Sequence, residues 1–304
     1  MSAVLHAARE LASRLREAPS VALTGAGVST DSGIPDYRGP ASLGRVRTPI
    51  QHRDFLRDPE TRRRYWARAV VGWERFHDAS PNATHRALAT LEDRGALSGI
   101  ITQNVDRLHH RAGSRSIVEL HGALEDVVCL ACGARSHRDE LQKRLRDANP
   151  TFFERHVDRA HVSGSDVPPG MESAEARPDG DTELDKSAVL EFRPVGCALC
   201  GGDLKPAVVF FGDNVARPVV DRAFAMLEDV AHARGTLLVL GTSLAVFSGY
   251  RFVRRAKDLG MTVAIVNLGP TRGDPHADVR IDAPVGEVVP ALVAAACEPA
   301  VTTT

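Results

Sequence analysis

Lysine is almost missing from this chain: it supplies four of the 38 basic side chains (Lys143, Lys186, Lys205 and Lys257), and arginine supplies the rest. Against 39 acidic residues the formal net charge is −1. The surface as a whole therefore lacks the basic excess that would draw nucleic acid or an anionic membrane, and neither is expected as a partner. The arginine bias, alongside abundant alanine, reads as a compositional trend and not as a patch. Long apolar runs are missing too. Nothing approaches the roughly 18 to 20 residues that span a bilayer, and the first residues lack the apolar core of a secretion signal. Glu10 and Glu17 argue against a mitochondrial transit peptide, while Leu5, Leu11 and Leu15 predict an N-terminal helix over 3–16. Cysteine is sparse, five in 304 residues, but four fall in two Cys-x-x-Cys pairs. That spacing points to metal in a reducing compartment, the cytoplasm by expectation, and away from a disulfide framework.

What is present is an alternation. Apolar, β-rich runs at 21–24, 99–102, 117–120, 236–240 and 262–266 are separated by helical patterns near 86–94, 219–233 and 250–259. Such alternation predicts an α/β fold, a Rossmann-like parallel sheet with helices on both faces. Ligands of these sheets bind at the carboxyl ends of the strands, and the small or hydrogen-bonding residues of this chain gather there. Gln103-Asn104-Val105-Asp106, His121-Gly122, Gly241-Thr242-Ser243 and Asn267-Leu268-Gly269 each follow an apolar run. A helical insertion is expected over 40–80, with Tyr65, Trp66, Trp73 and Phe76 clustered. A mobile loop is expected over 163–187, where apolar residues nearly vanish. The predicted organisation is one catalytic unit: a large domain from 1–39, 81–125 and 205–304, the insertion 40–80, and a small zinc-ribbon domain 126–204.

The first apolar run ends in Gly25-Ala26-Gly27, where a tight turn brings backbone close to a phosphate. The third glycine of the dinucleotide fingerprint is replaced by Thr30, so a ligand-free turn is an equal reading of this fragment alone. Asp36, Tyr37 and Arg38, after Gly33-Ile34-Pro35, add an acid, an aromatic face and a guanidinium fork, and they favour a cofactor loop. Cys129-Leu130-Ala131-Cys132 and Cys197-Ala198-Leu199-Cys200, each followed by glycine, predict one structural zinc ion with a closed four-sulfur shell. Cys297, in an Ala-rich terminal segment, is expected to be plainly buried. His121, at a strand end beside glycine, is the candidate general base, whereas His109 and His110 are read as surface or packing residues.

In order and spacing, these motifs, together with Phe210-Phe211-Gly212-Asp213, resemble the sirtuin family over nearly the whole chain outside 163–187. Pro35-Asp36-Tyr37-Arg38, Lys205 to Asp213 and Ser248-Gly249-Tyr250-Arg251-Phe252 further resemble its class II branch, and in a bacterial-type, cytoplasmic form. The resemblance implies NAD-dependent removal of acyl groups from protein lysines, with NAD as co-substrate and nicotinamide and O-acyl-ADP-ribose as products. It implies cofactor contacts from Gly25, Ala26, Gly27, Asp36, Tyr37, Arg38, Gln103, Asn104, Val105, Asp106, Gly241, Thr242, Ser243, Asn267, Leu268, Gly269 and Val285, the last where many relatives carry cysteine. His121 and Asn104 take the catalytic roles. Val209, Phe210, Phe211 and Gly212 are implied to bind substrate, with 208–211 and 244–247 as extended edges that pair with its backbone. Tyr65 and Arg68 have the Tyr-x-x-Arg form that binds an acyl carboxylate, or they only pack or face solvent.

Three other readings use the same residues. Mono-ADP-ribosyl transfer shares every cofactor contact. A hydrolase would use Gly241 to Ala245 as a nucleophile elbow with Asp274 and His276. A non-catalytic NAD- and zinc-dependent binding module would need no base at 121.

Overall fold

The computed structural model describes residues 3–37, 49–158 and 184–297, with side chains from His6 to Ala296. Nine strands occur among them: β1 Ser20–Thr24, β2 Leu97–Thr102, β3 Ile117–Glu119, β4 Gly122–Cys129, β5 Arg135–His137, β6 Leu204–Val208, β7 Thr236–Leu240, β8 Thr262–Val266 and β9 Val279–Ile281. The chain divides into two compact units, Met1–Leu43 with Ser80–Leu120 and Val215–Thr304, and Gly44–Ala79 with His121–Asn214.

The first unit holds a six-stranded sheet in the order β3-β2-β1-β7-β8-β9, with every pairing parallel. Counted within this sheet the order is 3-2-1-4-5-6, the doubly wound arrangement whose switch point lies between β1 and β7. Strand pleating explains the two cores. Ala22 and Ile100 face a cluster with Leu11, Leu15, Leu88, Val289 and Leu292 from the helices Ala3–Glu17, Ala83–Asp93 and Val285–Cys297. Val21, Leu23 and Ile101 face the other side, against Ala223, Leu227 and Phe252 from the helices Arg217–Ala231 and Phe247–Asp258. Burial on both faces is why these strands read as continuous apolar runs.

The second unit is built on the three-stranded antiparallel sheet β5-β4-β6. Its core is aromatic: Phe55, Tyr65 and Trp66 from the helices His52–Arg57 and Pro59–Asp78, with Phe152, Phe153 and Phe192. The expected large-domain boundaries differ here. Segments 121–125 and 205–214 fall in the second unit because β4 continues from Gly122 to Cys129 and pairs with β6 at both its ends, at Gly122 and over Val127–Cys129, with a register shift between. The helical insertion shares one unit and one core with the zinc segment and is not separate from it. Of the expected loop 163–187, only 184–187 are described, and Asp185 there caps the helix Lys186–Glu191 by accepting from Ala188 N.

Candidate functional site

At the switch point, β1 and β7 end in turns that interlock. Gly25 N donates to Leu240 O at 3.1 Å and Gly27 N to Gly241 O at 2.9 Å. A Cβ on Gly27 would lie 2.9 Å from both Cα and O of Gly241, and Gly241 itself sits at φ +61°. The glycines are thus required first by the close approach of the two turns, a constraint that the tight-turn and phosphate readings of the sequence did not contain. The chain then makes two short 3₁₀ turns, Ala26–Val28 and Thr30–Ser32, in place of a helix.

Ser29, which the sequence reading passed over, joins this turn to the end of β2. Its hydroxyl donates to Asp106 Oδ2 at 2.7 Å and accepts from Asn104 Nδ2 at 3.0 Å, and Nδ2 also donates to Gly25 O at 3.1 Å. With both amide hydrogens spent, Asn104 presents Oδ1 as its acceptor. Asp106 is buried, its Oδ1 accepting from Leu108 N at 2.9 Å, and burial raises its pKa despite these hydrogen bonds. Gln103 Nε2 donates to Thr242 Oγ1 at 3.0 Å, tying β2 to the β7 turn. Thr242 and Asn267 are buried and Leu268 is exposed. Val285 has its side chain in the hydrophobic cluster under its own helix. Asp36 is half-buried and Tyr37 exposed, whereas Arg38 lies outside the described residues.

A second missed device backs the turn. Asn82 caps the helix Ala83–Asp93, its Oδ1 accepting from Thr84 N and its Nδ2 donating to Val28 O at 2.8 Å and Ser32 Oγ at 3.0 Å. His85 closes the capping box by accepting from Asn82 N. Its ring lies 4.8 Å from that of His109, which bonds Thr24 Oγ1 through Nε2 at 3.0 Å. Burial lowers the pKa of His85 to about 4 and that of His109 well below its usual value. Both rings are neutral packing groups. The only available sequence signal was the spacing Pro81-Asn82-x-x-His85.

In the second unit, His121 is half-buried and its carbonyl accepts from Val209 N at 2.9 Å, so the candidate base and the first of the expected substrate residues share a backbone hydrogen bond. Gly122, at φ +74°, permits this pairing, since a Cβ there would meet Ala207 O. The stretch 208–211 is not one extended edge: β6 stops at Val208, and a turn follows in which Asp213 N bonds Phe210 O. Gly212 completes it at φ +80°, and Phe211 is held by an isolated bridge to Gln51. In the first unit, 244–247 is likewise not extended, because Leu244 is left-handed at φ +56° and a helix starts at Phe247.

Tyr65 and Arg68 are both buried on the helix Pro59–Asp78, which overturns the solvent-facing alternative. The Tyr65 ring packs edge-on to Phe55 and Phe210, with centroids 5.5 and 5.4 Å away. Buried Lys205 lies 4.7 Å from the Phe210 ring centroid, and burial lowers its pKa. The four cysteine sulfurs lie within 4.8 Å of one another, with Cys129–Cys200 at 3.5 Å and Cys132–Cys197 at 3.8 Å. Four ~2.3 Å bonds to a tetrahedral zinc ion place sulfurs about 3.8 Å apart, so the set fits the ion. Amides of Ala131 and Cys132 point at Cys129 Sγ, that of Leu199 at Cys197 Sγ and that of Gly202 at Cys200 Sγ. The Cys132 amide foremost draws the Cys129 thiol down to about 6. The side chain of Cys297 lies outside those described. The nucleophile-elbow reading fails on its partners: Asp274 is taken by Thr271 and Arg280, and His276 by the Tyr250 hydroxyl.

Residues 25–248 match the model of the Sir2 family. The chain is 47% identical over 286 residues to NAD-dependent protein deacetylase 1 of Streptomyces coelicolor, covering 94% of this chain and 88% of that protein. It is 48% identical to the NAD-dependent protein deacylase Sirt4 of Drosophila melanogaster, covering 89% and 81%. Among solved structures, one from work on the mechanism and regulation of Sir2 enzymes aligns with a TM-score of 0.71 at 29% identity, covering 96% of this chain and 98% of that one. A Sir2 protein with a p53 peptide and NAD+ aligns with a TM-score of 0.67 at 30% identity, covering 92% and 94%.

Proposed function

The chain belongs to the Sir2 family, and from that premise we propose that it is an NAD-dependent protein deacylase acting on acylated lysine. The observation that carries this reading is the hydrogen-bonded set Ser29, Asn104 and Asp106 at the switch point of the parallel sheet. Bound NAD supplies an electrophilic ribose carbon whose bond to nicotinamide breaks as the acyl oxygen of lysine takes it; with one water the products are lysine, nicotinamide and O-acyl-ADP-ribose. The chain's own groups bind, orient and move the proton. Gly25, Ala26 and Gly27 bring backbone to the phosphates. Asn104 offers Oδ1 to a hydroxyl. Asp106, held by Ser29 and the Leu108 amide, provides a desolvated carboxyl whose hydrogen bonds are strengthened by its surroundings. Gly241, Thr242, Ser243 and Asn267 serve the adenosine half.

His121 takes the proton of the attacking ribose hydroxyl, and its carbonyl bond to Val209 fixes where that imidazole starts. Val209, Phe210, Phe211 and Gly212 hold the peptide. The acyl end runs toward Phe210, Tyr65 and Arg68, and the buried guanidinium of the Tyr-x-x-Arg pair supports a preference for an acyl group ending in a carboxylate. The zinc ion is structural, bound by Cys129, Cys132, Cys197 and Cys200. We further place the protein in a bacterial-type cytoplasm, acting on protein and not on nucleic acid or membrane.

The test is nicotinamide release with NAD and acetyl-, malonyl-, succinyl- and glutaryl-lysine peptides. His121→Ala should lower turnover at least 100-fold, with products read by mass spectrometry. A lysine losing its acyl group supports the reading. A protein gaining ADP-ribose transfers it to the ADP-ribosyltransferase class, and equal rates on acetyl and acidic acyl groups, unchanged by Arg68→Met, remove the acyl preference.

A further inference from the structure

The turn after β8 is held by a side chain that no reading of the sequence singled out. Arg280, in the three-residue edge strand β9, is only 24% exposed and spends its fork on backbone. Nη1 donates to Asn267 O at 3.0 Å and to Ile281 O at 2.6 Å, and Nη2 donates to Gly269 O at 2.6 Å. Nε donates to Asp274 Oδ1 at 3.0 Å, and Asp274 in turn takes the amide and hydroxyl of Thr271. The turn is closed from its other side by Asp282 Oδ1, which accepts from Gly269 N at 2.8 Å, and by Arg272 N, which bonds Ser243 O at 2.9 Å. Within the turn, Asn267 Nδ2 donates to Leu268 O and Gly269 O, both at 3.0 Å. Both amide hydrogens are therefore committed, which leaves Oδ1 as the acceptor of that side chain.

We infer that Arg280 is a positioning residue for the adenosine half of the dinucleotide: by bridging Asn267 O, Gly269 O and Asp274 it fixes Asn267 Oδ1 as an acceptor for a ribose hydroxyl. The inference rests on the NAD-dependent reading above. A planar, permanently charged fork suits the task, since it reaches three carbonyls and a carboxylate at fixed angles where an ammonium would satisfy fewer. The bond that breaks lies at the nicotinamide end. Arg280 therefore contributes binding that is the same in ground and transition states, which moves KM and not kcat.

The experiment combines steady-state kinetics with calorimetric titration of ADP-ribose. Arg280→Met should raise KM for NAD about tenfold and weaken ADP-ribose by a similar factor. The peptide KM and kcat should stay within twofold, and Arg280→Lys should recover part of the loss. In an Asn267→Ala background, Arg280→Lys should change ADP-ribose affinity no further. Unchanged KM for NAD, a parallel fall in kcat, or effects of positions 267 and 280 that simply add would overturn the inference; the cycle with lysine decides the case if the methionine variant does not fold. A wild-type protein that binds no ADP-ribose would instead bring down the functional reading itself.

Discussion

The two units bury charge in opposite ways. The first encloses groups that are neutral or driven toward neutrality: His85 and His109 with lowered pKa values and Asp106 with a raised one. The second encloses cations. Arg138 is buried between Trp66 and Trp73, 5.5 and 4.9 Å from their ring centroids, and Lys205 lies over Phe210. Burial lowers Arg138 to about 10, so it stays charged at every pH the protein meets. A parallel sheet with two thick cores can orient neutral groups by hydrogen bonds alone. The second unit, on a three-stranded sheet, adds aromatic faces and four cysteines.

The metal gives the widest contrast. Structural zinc sites contribute on the order of 10 kcal/mol to the folds that enclose them, and every cysteine of this set belongs to the second unit. Chelation, or Cys132→Ser, should therefore strip hydrogen-exchange protection from β4, β5 and β6 and abolish turnover. β1, β7 and β8 should keep their slow amides. Uniform loss across both sheets would erase the distinction between the units, and no loss would remove zinc from the account.

Acid is the next lever. The His85 pKa is depressed from 6.5 to about 4 in the fold, foremost by burial. The unfolded chain thus binds the proton first: the stability of the neutral ring is fully present above pH 6.5 and is lost as pH falls toward 4, by about 3 kcal/mol. His109 acts in the same direction. Asp106, with its raised pKa, binds a proton in the fold before the unfolded chain does and opposes the loss. Arg138 does not change state over this range. Urea unfolding followed in the first unit should then show a steep decline between pH 6.5 and 4.5, flattened in His85→Gln. A variant as acid-sensitive as the wild type would show that the limb belongs elsewhere, for instance to zinc release.

The same contrast decided what could be read in the sequence. Five strands of the first unit were visible: β1, β2, β7 and β8 because burial on both faces leaves nearly uninterrupted apolar runs, and the part-buried edge strand β3 from its apolar run at 117–120. β9 was not, since three residues with Arg280 in the middle carry no periodic signal. In the second unit the apolar pattern of β4 is interrupted by Glu125 and Asp126 and that of β6 by Pro206, which a sheet edge tolerates, so only pairing reveals them as strands. The cysteine set was legible because zinc geometry is encoded in local spacing. Asp106 and Asn104 were legible from their strand end. Ser29 and Asn82 were not, because their partners lie 77 and 54 residues away and nothing local marks a serine or asparagine as a bracket.

The smallest effect tests the interlocked turns. Alanine at position 27 puts a methyl carbon 2.9 Å from Cα and O of Gly241, backbone on a left-handed residue that cannot swing aside. Overpacking of this kind costs about 1–3 kcal/mol, and the cost falls on a turn whose amide already bonds Gly241 O. Gly27→Ala should melt several degrees lower and raise KM for NAD, because the displaced strand end carries Ser29 and with it the bonds to Asn104 and Asp106. The second unit should be indifferent, with β4 and β6 amides exchanging as in the wild type. An unchanged melting temperature together with a raised KM would mean that the methyl group meets ligand and not Gly241, and that the phosphate, more than the neighbouring turn, is what requires glycine there.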